Sequence, residues 1–277
     1  MTPLAEIRNL NVFFPSATGA THAVRGVSMT VGREKFGIVG ESGSGKSVTG
    51  RALMRLLPRS AAVTADALRF DGTDVLAASE RRMRDLRGKR IGLILQDPKY
   101  SLNPVMRAGE QIAEAWRAHR RAGWKEAREA AAALLEQVRI RDPGRVARAW
   151  PHELSGGMGQ RVMIAMMLAP DPDLLIADEP TSALDASVQA EILRLIEELV
   201  SARGMGLMLI SHDLPLVSRF CDRVAVMYAG RVMETLAAQD LAHATHPYTR
   251  GLLDCLPRLD APRLRLPVLA RDPAWAA

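Results

Sequence analysis

Apolar and polar positions along this 277-residue chain change period several times, and each change marks an element. Residues 4–39 are strand-rich: Glu6-Ile-Arg-Asn-Leu-Asn-Val-Phe-Phe14, then Ala23 to Val31, then the apolar run Lys35-Phe-Gly-Ile-Val39. Ser47 to Leu57 follow as a helix. Ala67-Leu-Arg-Phe-Asp-Gly72 reads as a strand and turn, and Arg90-Ile-Gly-Leu-Ile-Leu-Gln96 as another strand. From Arg107 to Ile140 the reading is helical: Ala, Glu, Arg and Leu dominate, and Leu134, Leu135 and Val138 fall at helical spacing. Asp142-Pro143-Gly144 breaks it. Strand signals return at Leu174-Leu-Ile-Ala177 and Leu207-Met-Leu-Ile210, separated by a helix from Ser187 to Ser201. Val224 to Met233 reads as a hairpin turning at Ala229-Gly230. This alternation predicts an α/β fold with a largely parallel sheet and crossover helices.

The junction between the third strand and its helix adds chemistry. Gly40-Glu41-Ser42-Gly43-Ser44-Gly45-Lys46-Ser47 fits G-x-x-x-x-G-K-[ST], the loop that wraps the phosphates of a nucleoside triphosphate. Its glycines let backbone N–H groups approach phosphate oxygens, and the helix N-terminus adds partial positive charge. Lys46 is expected to reach the β- and γ-phosphates and the Ser47 hydroxyl to ligate Mg²⁺. A Gly/Ser turn before a helix is the plain competitor, and the flanking strand and helix speak against it.

Further motifs extend the site. Leu174-Leu-Ile-Ala-Asp178-Glu179 is an apolar strand delivering two acids at its C-terminal end, where phosphate-loop enzymes place the second acid near Mg²⁺. Asp178 would hold the metal and Glu179 would polarise the attacking water as general base. Gln96 ends a strand ahead of Asp97-Pro98, so its amide can reach metal or water. His212 follows Leu207-Met-Leu-Ile-Ser211 at a strand's C-terminal end, where ligands of open α/β sheets gather. A lone histidine is usually structural; this one is placed to contact the γ-phosphate. Leu154-Ser155-Gly156-Gly157-Met158-Gly159-Gln160-Arg161 is a second Gly/Ser phosphate-binding turn at a helix start, with no lysine of its own. Two such turns suit two chains facing each other, each turn closing over the other chain's nucleotide.

Composition bounds the classes. Apolar content of 48% and charged content of 25% are those of an ordinary globular chain. The N-terminus carries an early acid and no apolar core of a signal peptide, and no run approaches the roughly 18 apolar residues that span a bilayer. Cys221 and Cys255, the only cysteines, lie far apart without metal spacing, so a reduced cytosolic protein is expected. Net charge is +6, with a dense basic run from Arg81 to Arg90. We read it as a solvated face, with an anionic membrane surface next. No aromatic interleaves with it, which speaks against a base-stacking platform.

Taken together and in order, the phosphate loop, Gln96, the Leu154–Gln160 turn, Asp178-Glu179, Ser182-Ala-Leu-Asp185 and His212 resemble the nucleotide-binding subunit of an ATP-binding cassette (ABC) transporter. The resemblance covers nearly the whole chain. Gln96-Asp-Pro-Lys-Tyr-Ser-Leu-Asn-Pro104, Arg161-Val-Met-Ile-Ala-Met-Met and His246-Pro-Tyr-Thr-Arg-Gly-Leu-Leu253 are similar to the oligopeptide, dipeptide and nickel importer ATPases, nearer the first of their two paired ATPase subunits. It implies a phosphate-loop NTPase (RecA-like) ABC fold with an antiparallel β subdomain and an α-helical subdomain. The RecA-like core with its β subdomain would take residues 1–96 and 156–235, the helical signature subdomain 97–155, and a C-terminal extension 236–277.

The resemblance also implies roles. ATP would be bound by Gly40, Glu41, Ser42, Gly43, Ser44, Gly45, Lys46, Ser47 and Val48, with Phe14 stacked on adenine and Phe13 as the fallback. Glu179, His212, Lys46 and Gln96 would be catalytic, and Ser47, Gln96 and Asp178 would hold Mg²⁺. Ser155, Gly156, Gly157 and Gln160 would contact the partner subunit's ATP, with Asp185 in the loop beside them. Implied partners are a second ABC ATPase subunit (heterodimer, with a homodimer left open), two permease subunits docking on 97–155 and, indirectly, an external solute-binding protein. No nucleic acid is expected, and the place implied is the cytoplasmic face of the bacterial inner membrane, peripherally. Some relatives carry an iron–sulfur cluster in a cysteine-bearing extension; here Cys255 alone follows the His-Pro-Tyr segment, so no cluster is expected. Gly159 departs from the usual residue and is expected to weaken its helix turn by up to about 1 kcal/mol. Competing readings are an exporter ATPase, or a soluble ABC ATPase acting on nucleic acid or ribosomes.

Overall fold

Alternation in the first thirty residues produces a long hairpin in the computed structural model, which describes residues 3–17, 19–182, 184–256 and 269–276. Strands β1 (Ala5–Ser16) and β2 (Gly19–Val31) pair antiparallel, with Val12 opposite Val24 and Phe13 opposite His22. Ala5, Ile7, Leu10 and Val12 are buried. The step from Ile7 to Leu10 is odd because the register shifts there, at Asn9 with φ 49°, which keeps the apolar face inward. Strand β3 (Lys35–Gly40) has Phe36, Ile38 and Val39 wholly buried, as its continuous apolar run demands. Helix α1 (Lys46–Leu53) ends four residues before the predicted Leu57. Arg55 turns to φ 49° and Pro58 follows, so the chain leaves the helix early. Short strands β4 (Ala62–Thr64), β5 (Ala67–Phe70) and β6 (Thr73–Asp74) complete an antiparallel sheet of order β2-β1-β5-β6, with β4 also on β1.

Two units divide the chain: residues 1–77 with 208–277, and residues 78–207. The second unit opens with α2 (Glu80–Leu86), capped by Ser79 Oγ, which accepts from Arg82 N at 3.2 Å. Half of the basic run is on this helix: Arg81, Arg82 and Arg84 are exposed, while beyond it Arg87 pairs with Glu80 and Arg90 with Asp173. Strand β7 (Ile91–Ile94) is shorter than the predicted Arg90–Gln96, and α3 (Pro98–Ser101) follows. The stretch expected to be helical from Arg107 to Ile140 is two helices, α4 (Ala108–Arg117) and α5 (Trp124–Gln137). Arg120 donates to the carbonyls of Trp116 and Ala169, and Arg117 to that of Ala122. Those bonds satisfy carbonyls at the break, and Gly123 starts the second helix. Helix α6 (Pro143–Arg148) is capped by Asp142; α7 (Gly156–Leu168) leads into β8 (Leu174–Asp178), which lies parallel to β7. Helix α8 (Ala186–Arg203) ends at Gly204 with φ 59°, and β9 (Gly206–Ser211) begins here.

Most of β9 belongs to the first unit, together with α9 (Leu214–Phe220), β10 (Arg223–Tyr228), β11 (Arg231–Ala237) and α10 (Pro247–Asp254). Strand order there is β11-β10-β3-β9. Strand β10 runs parallel to β3, with Val226 opposite Val39. The β10–β11 hairpin turns at Ala229 (φ 45°) and Gly230 (φ 85°), as the sequence predicts. Helix α9 presses closely on β3. A Cβ at Gly37 would meet Val217 Cγ1 at 2.3 Å and Cys221 Sγ at 3.1 Å. Gly37→Ala is therefore expected to cost about 1–3 kcal/mol of stability through overpacking. Chemical denaturation reads this, and an unchanged midpoint would contradict it. Neither cysteine is in a disulfide, and burial pushes the Cys221 thiol up to about 12. Among the described residues no helix is long and apolar enough to cross a membrane.

Candidate functional site

The first unit carries the glycine loop between β3 and α1. Gly40 closes β3 against β10, where a Cβ would lie 2.1 Å from the Met227 carbonyl oxygen, so no side chain fits. Gly45, at φ 96°, is the N-cap of α1, leaving that end without a side-chain cap. Ser44 N donates to Glu41 O at 3.2 Å, tightening the turn. A brace comes from the β10–β11 turn: Gly230 N donates to Ser44 O at 3.1 Å, and Arg25 N to Gly230 O at 2.7 Å. The loop is thus fixed from two neighbouring elements before any ligand arrives.

Its polar groups suit an anion. Lys46 Nζ donates to the carbonyls of Gly40 and Glu41, both at 2.8 Å, with the side chain 5% exposed. An ammonium held by neutral carbonyls can transfer to phosphate oxygens, which carry charge and bind it more strongly. Among the described residues Ser44 Oγ is buried with no hydrogen-bond partner, and a Cβ at Gly43 would meet nothing within 4 Å. A lysine ammonium, an unsatisfied hydroxyl and a helix N-terminus in one short loop are donor chemistry that fits a triphosphate. Ser47 and Val48 lie in the first turn of α1, and Thr49 Oγ1 donates back to Gly45 O at 3.0 Å.

His212 follows β9 and is exposed; Asp213 behind it caps α9 by accepting from Leu216 N at 2.9 Å. On β1, Phe13 stacks on His22 with centroids 4.0 Å apart. Phe14 is half-buried and, one residue on, belongs to the opposite face. The stacked Phe13 is thereby committed within its own sheet.

The second unit carries the remaining predicted residues. Asp178 is the last residue of β8 and 4% exposed, at the end of a strand whose Leu174 to Ala177 are all buried. A buried carboxylate at the end of a rigid strand has the donor chemistry of a Mg²⁺ ligand. Glu179 follows at φ 48°, a left-handed conformation unusual outside glycine. Its carbonyl accepts from Ser182 N at 3.3 Å and Ser182 Oγ at 3.2 Å, which fixes the turn. Gln96 is exposed in a bend two residues beyond β7 rather than at its end.

The second Gly/Ser turn is built as a helix cap. Ser155 Oγ accepts from Met158 N at 3.4 Å, and Gly156 and Gly157 form the first turn of α7. A Cβ at Gly157 would lie 2.9 Å from Val188 Cγ1, so α7 and α8 approach closely there. Asp185 caps α8; hydrogen bonds from Ser187 Oγ and Val188 N hold its carboxyl below the usual range. Gln160 is fully buried, and its amide donates to the Pro180 carbonyl just after Glu179. It ties the Gly/Ser turn to the acid turn within one unit, a link no local pattern announces. Gly159 is buried, with room for ordinary contact with Pro98. A groove of about 510 Å³ runs from Asp97, Pro98 and Leu102 to Leu154, Ser155 and Leu184. Gln111 shapes it by bonding Asn103 N, Asn103 O and Met106 O.

Comparison with known proteins agrees with this geometry. A family model described as "ABC transporter" matches residues 24–182. The chain is 51% identical, over 92% of its length and 77% of the relative's, to a probable peptide ABC transporter ATP-binding protein of Sinorhizobium fredii. It is 46% identical to the dipeptide transport ATP-binding protein DppD of Bacillus subtilis, over 94% of this chain and 78% of the other. Among solved structures, a dimeric ATP-binding cassette in a post-hydrolysis state bound to ADP and Pi superposes with a TM-score of 0.75. That match has 25% identity and covers 84% of this chain and 98% of that one.

Proposed function

The chain belongs to the ATP-binding subunits of ABC transporters, an ATP-hydrolysing family, and on that premise we propose that it powers a bacterial peptide importer. The observation that supports this best is the pair of anion-ready turns, of which only the Gly40–Ser47 loop brings a lysine. In this reading each subunit of an ATPase pair grips ATP with its own loop. Its partner's Ser155, Gly156 and Gly157 close over the same nucleotide. The dimeric form of the solved cassette is in keeping with such pairing.

Roles then follow for individual groups. Lys46 exchanges its carbonyl partners for the β- and γ-phosphates, and the backbone N–H groups of residues 43–47 surround them. Ser47, Gln96 and Asp178 are assigned as ligands of Mg²⁺, which when bound neutralises phosphate charge. Glu179 takes the proton of the attacking water, His212 contacts the γ-phosphate, and Phe14 stacks on adenine. Gln160, fully buried with its amide on Pro180, does not reach the partner's nucleotide as expected; it braces the turn that does. Residues 97–155, with the groove beside Pro98 and Leu102, receive a permease segment on the cytoplasmic face of the membrane. The helical region thereby joins nucleotide closure to permease movement. Peptides are the cargo class favoured by the names of the relatives.

Affinity capture from native membranes tests this, using tagged Glu179→Gln with Mg-ATP and mass spectrometry. Two multi-span permeases and a second cassette subunit are the expected companions. Ribosomal proteins or nucleic acid without membrane protein would overturn the transport reading and leave the ATPase standing.

A further inference from the structure

Glu41, the second residue of the glycine loop, is held by the far end of the chain. Arg271 Nη2 donates to Glu41 Oε2 at 2.7 Å, and Tyr248 Oη lies 3.4 Å from Glu41 Oε1. Tyr248 is completely buried on α10, its ring 4.6 Å from that of Tyr228. Residues 269–276 are seated on the same unit by several separate contacts. Trp275 meets Tyr228 and Tyr248 edge-on, at 6.3 and 5.7 Å between centroids. Leu269 fills the space over Gly251, where a Cβ would meet it at 2.2 Å. The Ala276 carbonyl accepts from Arg25 Nη1 at 2.6 Å, and Arg25 N in turn holds the Gly230 turn that braces Ser44. The C-terminal segment thus reaches the loop by two routes, one direct and one through β2.

The direct route has an electrostatic consequence. A loop that wraps a triphosphate works by presenting positive potential, and a carboxylate on it opposes the ligand. Arg271 supplies the compensating charge and turns the carboxylate toward itself. We propose that Arg271, seated with Trp275 and Tyr248, is a positioning residue for ATP: it neutralises Glu41 so that the loop attracts the phosphates. This rests on the ATP reading above and adds to it a residue about 230 positions away from the loop.

Equilibrium titration with ATP, ADP and adenosine, in Mg²⁺ at two ionic strengths, tests it. Arg271→Ala is expected to weaken ATP binding about three- to fivefold, a size set by the partly exposed pair at 58% and 31%. The loss is smaller for ADP, absent for adenosine, and shrinks at high salt. Arg271→Lys restores most of it. In a Glu41→Gln background, Arg271→Ala changes nothing further. Unaltered ATP affinity in Arg271→Ala overturns the proposal. So does an equal loss for ATP and adenosine, or one that persists beside Glu41→Gln, because either marks a role in folding alone. Wild-type protein that bound no nucleotide would strike instead at the ATP reading itself.

Discussion

Replacing Glu179 by glutamine leaves ATP binding and ATP-dependent pairing of subunits intact but slows hydrolysis by at least about 10²-fold. The substitution keeps size and shape, and removes the charge and the basicity while turning one acceptor oxygen into an NH2 donor. Little else at this position should change, because the backbone is fixed independently of the side chain. Ser182 holds the Glu179 carbonyl twice, and Gln160 holds the next one. The φ of 48° has a cost of about 1–3 kcal/mol for a residue with a Cβ. Such strain persists where the surrounding structure over-determines it, and here it falls on the residue directly after a buried strand. Asp178, one residue earlier, remains in the strand and buried. Two adjacent acids thereby differ in place, one inside the strand and one in the turn after it. Single-turnover hydrolysis, with pairing followed by size-exclusion chromatography, separates the two effects. Retention of more than about a tenth of wild-type turnover with Glu179→Gln in both subunits would remove Glu179 as the general base.

What the sequence discloses about this site is what is local in it. The glycine loop, the apolar strand ending in two acids and the Ala229-Gly230 turn are each encoded within about ten residues by backbone requirements that few side chains satisfy. The helical reading over 107–140 misses the break between two helices for the opposite reason. The Ala/Glu/Arg composition favours helix on either side of Gly123, and Arg120 fixes the break by bonding the Ala169 carbonyl 49 residues away, a tertiary bond that composition does not show. The braces of the site are equally invisible. Gln160 on Pro180, Gly230 on Ser44 and Arg271 on Glu41 join residues 20, 186 and 230 positions apart. No period or spacing marks them, since each depends on how elements pack after they form. The motifs carry the chemistry, and the struts that hold the motifs in place become visible only in three dimensions.

Lys46→Ala is expected to weaken ATP binding by about ten- to a hundredfold, the value of one to two charge-assisted hydrogen bonds. The figure is smaller than the raw strength of a lysine–phosphate contact because the lysine is already partnered. Its two bonds to Gly40 O and Glu41 O are broken when phosphate arrives, so affinity reflects the difference between neutral carbonyls and charged oxygens. The same bonds predict a second effect. Without Lys46 two loop carbonyls lose their donor, one of them on the buried Gly40, and stability should fall by about 1–3 kcal/mol. Nucleotide protection and intrinsic stability therefore decline together in this variant, whereas Glu179→Gln touches neither. Titration calorimetry with ATP and ADP reads the first effect, and a melt without nucleotide reads the second. Affinity equal to wild type would mean that Lys46 stays with its carbonyls in the bound state, serving to hold the loop rather than the phosphates.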